Sequence, residues 1–274
     1  MKQNEIVQYA RIRAVGIGPF GAEMVQILSQ YMLDDVSCHE VVFNQNGEAS
    51  EEMAALISLV RESDLLFILS GFEEDRYGMA ALAVGRTARE AGVCTFAIVP
   101  DYESKYQQII TELTEEAVAV LPVSERSLTD ERDLTQEKMV ELTGYVMRHI
   151  VTRLTNLICY RSLISTYGVD REATLQKGCI CRLGVGVATG PSKGQKAAIL
   201  ALKRLGSQGL SIFDAVDLTV IVESSSHFNR DDWNDVCEVI RNNVVEGTSV
   251  LISLEMNELL GFTDEIKVSV MAEQ

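Results

Sequence analysis

Three glycines in the N-terminal part of the chain have the spacing of a phosphate-binding turn. Gly16, Gly18 and Gly21 follow an apolar run at residues 11–15 and precede an amphipathic stretch. Because glycine has no side chain, backbone N–H groups and the N-terminus of a helix can approach an anion closely at such a turn. The pattern predicts a strand, a turn and a helix, with Gly16, Gly18 and Gly21 as candidate nucleotide-binding residues.

A second turn follows the apolar run at residues 65–70 and differs from the first in its charge. Gly71 and Gly78 bound this turn and are further candidate nucleotide-binding residues. The residues before Gly78 are mostly acidic or bulky: Glu73, Glu74, Asp75, Arg76 and Tyr77. Two unit charges about 4 Å apart interact by about 4 kcal/mol at an effective dielectric of about 20. Three carboxylates here therefore predict a weakened or lost phosphate site.

Two other chemistries are compatible with these turns. The spacing Gly16-x-Gly18-x-x-Gly21 is also a dinucleotide-binding fingerprint, with Glu40 or a neighbour as the acid for a ribose hydroxyl, which would indicate a dinucleotide-binding enzyme. The carboxylates of the second turn offer oxygen ligands for Mg²⁺ or Ca²⁺. We expect a solvated acidic loop and no metal site, because adjacent residues converge on one ion only where a turn folds them together.

Composition narrows the class of protein and its partners. The 274 residues carry a formal net charge of −16, which argues against a nucleic-acid partner or an anionic membrane surface. No apolar run approaches the roughly 20 residues of a membrane span, so we expect no direct membrane insertion. The N-terminus lacks the pattern of a secretory signal, and most of the six cysteines lie in apolar runs, which favours the reducing cytoplasm. Cys179-x-Cys181 and the pair Cys38-His39 each lack a second pair of ligands, so we expect structural roles.

Apolar runs and amphipathic stretches alternate along the first half of the chain. Strands are predicted at residues 11–15, 40–43, 65–70, 94–99 and 117–121, and helices at 21–32, 51–61, 78–91 and 106–113. This alternation is typical of an α/β fold with a doubly wound, mostly parallel sheet. The run at 65–70 is apolar without alternation, as expected of a strand covered on both faces.

The second half of the chain begins with a long amphipathic helix. A polar stretch at residues 124–135 precedes a predicted helix at 136–160 with apolar residues spaced by three and four. Beyond it we expect strands at 183–189, 218–223, 249–254 and 266–271, and helices at 195–205 and 231–245. We therefore divide the chain into residues 1–134, the helix at 135–160 and a smaller α+β unit at 161–274.

Several runs, taken in order, resemble the FtsZ/tubulin superfamily across nearly the whole chain, and bacterial FtsZ more than eukaryotic tubulin. They are AVGIGPFGAEMV at the first turn, SDLLFILSG and AALAVGRTAREAGVCTFAIV around the second, LISTYGVDREATLQKG after the long helix, GVGVATG in a later strand and LGFTDEIKVSVMAEQ at the end. The resemblance implies that residues 1–134 form a nucleotide-binding-type domain, 135–160 the central helix and 161–274 an activation-type domain.

The departures from this family lie at its nucleotide site. In the first turn, Pro19 and Phe20 stand where the family has glycines, and Glu23 stands at its asparagine position. Pro19 has no N–H to donate, Phe20 blocks close approach and Glu23 adds negative charge. In the second turn, the acidic residues replace the family's glycine-threonine signature. The resemblance thus implies a degenerate GTPase site; we expect no cofactor, with GTP or GDP as the nucleotide if one binds.

The resemblance also bears on catalysis, because in this family acids from the loop after the central helix reach the nucleotide of the next subunit. The matching stretch is residues 167–175, where Asp170 and Glu172 are remnants of the acidic pattern and Leu175 occupies its last acid position. Two oxygen-bearing groups could still orient a water or a cation. We expect loss of turnover, since both halves of the shared site are altered.

These observations favour a cytoskeletal or scaffold protein over an active GTPase. By resemblance, it would form a homo-oligomer or join another FtsZ-like subunit, in cell division or membrane remodelling. The alternative is a slow or atypical GTPase that still holds guanine nucleotide, followed by a dinucleotide-binding enzyme. The sequence ends close to the last predicted strand, so we expect it to lack the tail peptide by which FtsZ recruits membrane adaptors.

Overall fold

The computed structural model describes residues 10–30, 36–41, 52–100, 107–117, 119–124, 127–129, 135–159, 164–165, 178–225, 229–256 and 264–273. The strands in these ranges are β1 (Ile12–Ile17), β2 (Val36–Val41), β3 (Leu65–Ser70), β4 (Cys94–Pro100), β5 (Ala119–Val123), β6 (Ile164–Ser165), β7 (Cys179–Thr189), β8 (Asp217–Ser224), β9 (Ser249–Met256) and β10 (Glu265–Glu273). The helices are α1 (Gly18–Gln30), α2 (Glu52–Arg61), α3 (Asp75–Glu90), α4 (Gln107–Glu116), α5 (Gln136–Cys159), α6 (Lys193–Ser207) and α7 (Arg230–Asn243).

The described strands form one continuous sheet in the order β2-β1-β3-β4-β5-β7-β10-β8-β9-β6. From β2 to β7 every neighbouring pair is parallel. Strand β10 is antiparallel to both β7 and β8, whereas β8 and β9 are parallel. The predicted α/β fold with a doubly wound, mostly parallel sheet is therefore confirmed, and the division at residues 134 and 160 stays a prediction.

Helices cover both faces of the parallel half. Phe67 of β3 faces a core layer formed with α1 and α5, whereas Ile68 faces the layer formed with α2, α3 and α4. This explains why β3 is apolar without alternation. A third layer lies between α6, α7 and the strands β8 to β10. Within the described residues, no helix has both the length and the apolar character needed to span a membrane.

Several element boundaries differ from the prediction. The second strand, predicted at residues 40–43, lies at Val36–Val41, because parallel pairing sets Val36 opposite Ile12 and Val41 opposite Ile17. Helices α1 and α3 each begin three residues before their predicted starts at residues 21 and 78. Strand β7 begins at Cys179 rather than at residue 183, since it pairs with β5 at its start and with β10 along its length. The short β6 was not predicted.

Candidate nucleotide-binding site

The two glycine turns lie side by side at the carboxyl ends of β1 and β3. Ile17 is paired with Ser70 in the parallel register, so Gly18 and Gly71 follow neighbouring strand ends. Ligands of open α/β sheets bind at this edge, where helix N-termini also point. The structure thus brings together the two turns that the sequence marked as candidate nucleotide-binding segments.

Gly16 and Gly21 are needed for close packing at the first turn. A Cβ atom on Gly16 would collide with the carbonyl oxygen of Gly21, and a Cβ on Gly21 would collide with the carbonyl oxygen of Leu69. The start of α1 is therefore pressed against β1 and β3, and only glycine fits at either position. These two candidate residues have a packing role, whether or not a nucleotide binds beside them.

Gly18 has a different neighbour, the aromatic ring of Tyr77. Gly18 begins α1 with a φ of 72°, in the left-handed region that favours glycine. A Cβ atom on Gly18 would lie 2.8 Å from both Cγ and Cδ2 of Tyr77. The tyrosine is 7% exposed and belongs to the first turn of α3. Its ring therefore covers Gly18, one of the candidate nucleotide-binding glycines.

Polar contacts hold this ring in place. The Tyr77 hydroxyl donates to Oε1 of Glu74 at 3.0 Å, and Nη2 of Arg76 donates to the same oxygen at 2.9 Å. Arg76 also donates to the Tyr77 hydroxyl oxygen at 3.3 Å, with its guanidinium 5.2 Å from the ring centroid. The hydrogen bonds to Tyr77 and Glu74 raise the pKa of Arg76 above its ordinary value. Three residues of the altered turn thus form one connected cluster.

The second turn is filled by its own acidic side chain. A Cβ atom on Gly71 would collide with the carboxylate of Glu73, whose side chain folds back over the glycine. Gly78 lies instead against α4, where a Cβ would come within 2.6 Å of Cδ1 of Ile109. Glu73, Glu74 and Asp75 are all exposed, so their charge faces solvent at this edge. The side chains of Glu73 and Ile109 therefore fill the space beside the other two candidate glycines, Gly71 and Gly78.

The other sequence-based candidates have varied positions. Pro19 and Glu23 are exposed on α1, whereas Phe20 is half-buried and packs against the core layer shared with α5. The bulky group at Gly18 is thus Tyr77, not Phe20. Glu40 is exposed on β2 opposite Gly16 of β1. Asp170, Glu172 and Leu175 lie outside the described residues.

The sequence indicates Tyr77 only as part of an altered loop and gives no sign of its contact with Gly18. The spacing Tyr77, Ala80, Ala81 and Val84 is a helical stripe, and these four side chains are buried in one layer. That stripe indicates a helix that begins before residue 78. An α3 that starts at Asp75 carries Tyr77 on its buried face, toward the first turn.

A second polar cluster, remote in sequence, joins α5 to the sheet. Nζ of Lys267 on β10 donates to Nδ1 of His149 at 3.0 Å, and Nε2 of His149 lies 2.6 Å from Oγ of Ser269. Because Nδ1 accepts, the proton of the neutral ring is assigned to Nε2, which donates to the serine. The partners are 118 and 120 residues from His149, so no local spacing could have revealed them.

Burial is the main electrostatic influence on His149. It lowers the pKa of the imidazole well below its ordinary value, and the positive charges of Lys267, Arg153 and Arg148 lower that pKa further. The carboxylate of Glu223 lies 3.8 Å from Nδ1 but does not outweigh them. His149 is therefore a neutral hydrogen-bonding residue between α5 and β10.

Comparison with known proteins supports the family suggested by the sequence. No model of a known protein family matches the chain. The cell division protein FtsZ of Buchnera aphidicola subsp. Baizongia pistaciae is 19% identical over 234 residues, which are 82% of this chain and 60% of that protein. FtsZ of Aquifex aeolicus is 23% identical over 236 residues, 82% of this chain and 63% of that protein. The chain thus spans about six tenths of the length of these relatives.

The fold is shared with solved structures over almost its full length. An empty FtsZ dimer from M. jannaschii has a TM-score of 0.80 at 16% identity, covering 97% of this chain and 88% of that one. CetZ2 from Haloferax volcanii, in a GTPgS-bound protofilament, has a TM-score of 0.68 at 12% identity, covering 96% of this chain and 92% of that one. Both comparisons match a fold rather than a site.

Proposed function

The chain belongs to the FtsZ/tubulin superfamily, and we propose that it is a cytoskeletal or scaffold subunit that does not work as a GTPase. It would associate with itself or with another FtsZ-like subunit, in cell division or membrane remodelling. The cytoplasmic location expected from the cysteine pattern belongs to the same proposal. The curated relatives are named as cell division proteins, and two of the solved structures are titled as a dimer and a protofilament.

The single observation that carries this proposal is the contact between Tyr77 and Gly18. A phosphate cradle needs open space above its glycines so that backbone N–H groups can reach the anion. Here the space above Gly18 contains a buried aromatic ring, tied by hydrogen bonds to Glu74 and Arg76. A nucleotide would have to displace the ring and break those hydrogen bonds before its phosphates could bind.

Charge acts in the same direction as the steric block. The carboxylate of Glu73 covers Gly71, and Glu74 and Asp75 are exposed beside it. A nucleoside triphosphate is itself polyanionic, so its approach to this edge is opposed by the like charges of these carboxylates. Pro19 also removes one backbone N–H from the first turn of α1.

The test is whether the purified protein holds or binds guanine nucleotide. Chromatography after denaturation should find none, and titration with a fluorescent GTP analogue should give a Kd weaker than about 1 mM, a binding free energy smaller than about 4 kcal/mol. The variant Tyr77→Ala combined with Glu73→Gly should bind more tightly than wild type. Tyr145→Ala, at an exposed tyrosine on α5, serves as the control. Stoichiometric nucleotide in the wild-type protein would overturn the proposal.

A slow or atypical GTPase is the second candidate. It is favoured by the starts of α1 and α3, which remain side by side at the strand ends as in a working anion site. Phosphate release with Mg²⁺ at high protein concentration separates the two. Turnover above about 1 per minute would establish the second candidate. Such an enzyme could still be slow, because ordinary enzymes turn over about 10 times per second.

A further inference from the structure

Two cysteines and one glutamate converge on one face of the sheet, far from the glycine turns. Cys179 and Cys181 are two residues apart on β7, so their side chains point to the same face. Glu273 of β10 is directly opposite Cys181 in the antiparallel register, which places its side chain on that face as well. All three residues are buried, with Cys181 only 2% exposed.

The distances within this cluster are compatible with a metal site. The two sulfur atoms are 3.6 Å apart, and one donor atom from each of the three residues lies within 4.8 Å of the others. Two Zn–S bonds of about 2.3 Å at a tetrahedral angle place the sulfurs about 3.75 Å apart. A disulfide fits less well, because Cα atoms two residues apart on a strand are about 6.6 Å apart, at the upper end of the disulfide range.

From this arrangement we propose that Cys179, Cys181 and Glu273 bind a thiophilic divalent cation, Zn²⁺. Two thiolates and a carboxylate are ordinary zinc ligands, and no other cluster of this kind was found among the described residues. The sequence alone predicted structural cysteines and no metal, because it offers no second Cys-x-Cys pair. The third ligand, Glu273, lies beside the cysteines only because β10 pairs with β7 in the folded sheet.

The electrostatics of the cluster suit a cation. Two buried carboxylates lie on adjacent strands in this part of the sheet, because Asp217 of β8 is opposite Glu273 of β10 in the register. A dication bound between the cysteines and Glu273 would offset the negative charge of these buried carboxylates.

The position of the cluster indicates what the ion would do. Strand β7 joins the parallel half of the sheet to the antiparallel half, and its pairing with β5 is limited to Ala119 with Cys179 and Val120 with Ile180. The other edge of β7 pairs with β10 along its length. A cation held by β7 and β10 would fix the beginning of β7, the part of the strand that pairs with β5. Its role would therefore be structural.

Cobalt titration of the full chain tests the proposal. After chelator treatment in a phosphine reductant, Co²⁺ should bind at one ion per chain with sulfur-to-cobalt charge-transfer absorption, and Zn²⁺ should displace it. Cys179→Ser or Cys181→Ser should weaken binding at least tenfold, and Glu273→Gln should weaken it while retaining the charge-transfer band. Cys237→Ser removes a buried thiol of α7 outside the cluster and should change nothing. Circular dichroism shows whether each variant is folded.

Wild-type protein alone gives a second readout that does not depend on the variants. Because an ion that binds only the folded state stabilises it by mass action, Zn²⁺ should raise Tm, and a chelator should reverse the shift. Absence of one-to-one binding, no change in Tm with Zn²⁺, or equal affinity in the Cys179, Cys181 and Cys237 variants would overturn the proposal.

Discussion

Arg153 on α5 forms an ion pair with Glu223 on β8, with 2.8 Å between Nη2 and Oε2. The glutamate is fully buried, and the arginine side chain is 14% exposed. Arg153 also pairs with Glu255 on β9, while Lys267 lies 3.4 Å from the other oxygen of Glu223. Helix α5 is thus joined to β8 and β9 by ion pairs that are largely shielded from water.

Removing one partner of this pair should strongly destabilise the fold. Arg153→Met removes one cation from beside Glu223, which keeps Lys267 at 3.4 Å, and removes the positive charge beside Glu255. We expect the free energy of unfolding to fall by about 3 kcal/mol, because two largely buried carboxylates lose the cation they share. Arg11→Met, which breaks an exposed pair with Asp64, should have a much smaller effect. Urea unfolding measures both; equal losses in the two variants would contradict this prediction.

Acid should weaken the fold through His149. Its pKa in the folded protein lies well below the value of about 6.5 expected in the unfolded chain. Between these two values the unfolded state binds more protons, so stability rises with pH there and is fully present above about 6.5. As pH falls below 6.5, wild type should lose up to about 1.4 kcal/mol per unit relative to His149→Gln.

Unfolding free energies at pH 5, 6 and 7 measure this difference. His39→Gln is the control, since this half-buried histidine has a pKa that is lowered by burial and by Arg13 but less strongly. Lys267, Arg148, Arg153 and Glu223 are the charged groups around His149 and are unchanged in both variants. Parallel pH profiles for wild type and His149→Gln would rule out the assignment.

The glycines of the GVGVATG run should be intolerant of any side chain. A Cβ atom on Gly184 would collide with the carbonyl oxygen of Ala201, and one on Gly186 with that of Ala197, so α6 rests directly on β7. Gly184→Ala or Gly186→Ala should cost several kcal/mol or prevent folding, because backbone must move. Gly206→Ala is the control: beyond its own helical turn, no heavy atom of the described residues lies within 4 Å of the added Cβ, and alanine in a helix is favoured by about 1 kcal/mol. Thermal unfolding distinguishes them.

The sequence predicted the order of most elements because each repeats a local pattern. The buried run in β3 and the apolar stripe of α5 depend only on neighbouring residues. The contact of Tyr77 with Gly18 was not predictable in the same way, because it needs the exact start of α3 and the parallel register of β1 and β3. Glu273 opposite Cys181 and Lys267 beside His149 depend on pairing between distant segments.

Glycine was the least informative residue type for the site. Four glycines belong to sequence motifs, yet at each of them an added Cβ would collide with a backbone carbonyl oxygen: Gly16, Gly21, Gly184 and Gly186. A glycine motif can therefore be required for packing whether or not a nucleotide binds beside it. What separates the two uses is the side chain that lies over the glycine, which only tertiary structure shows.

Assembly should be limited by charge at the edge that carries the two turns. Glu73, Glu74 and Asp75 are exposed there. If the proposed self-association follows the family pattern, this face would meet the segment with Asp170 and Glu172 of the next subunit. Like charges at such a contact are screened only weakly at low salt, where the Debye length is about 30 Å at 0.01 M against about 10 Å at 0.1 M. The isolated protein should therefore be a monomer or small oligomer at low salt.

Sedimentation across salt concentrations checks this expectation. Larger assemblies should appear as salt rises, and a variant with Glu73→Gln, Glu74→Gln and Asp75→Asn should assemble at lower salt than wild type. The control is a variant with the same charge change at exposed acids elsewhere: Glu62→Gln, Glu90→Gln and Glu238→Gln. If only the first variant assembles, the edge with the two turns is the contact. Long filaments of wild-type protein in low salt without divalent cations would show that this edge does not oppose assembly.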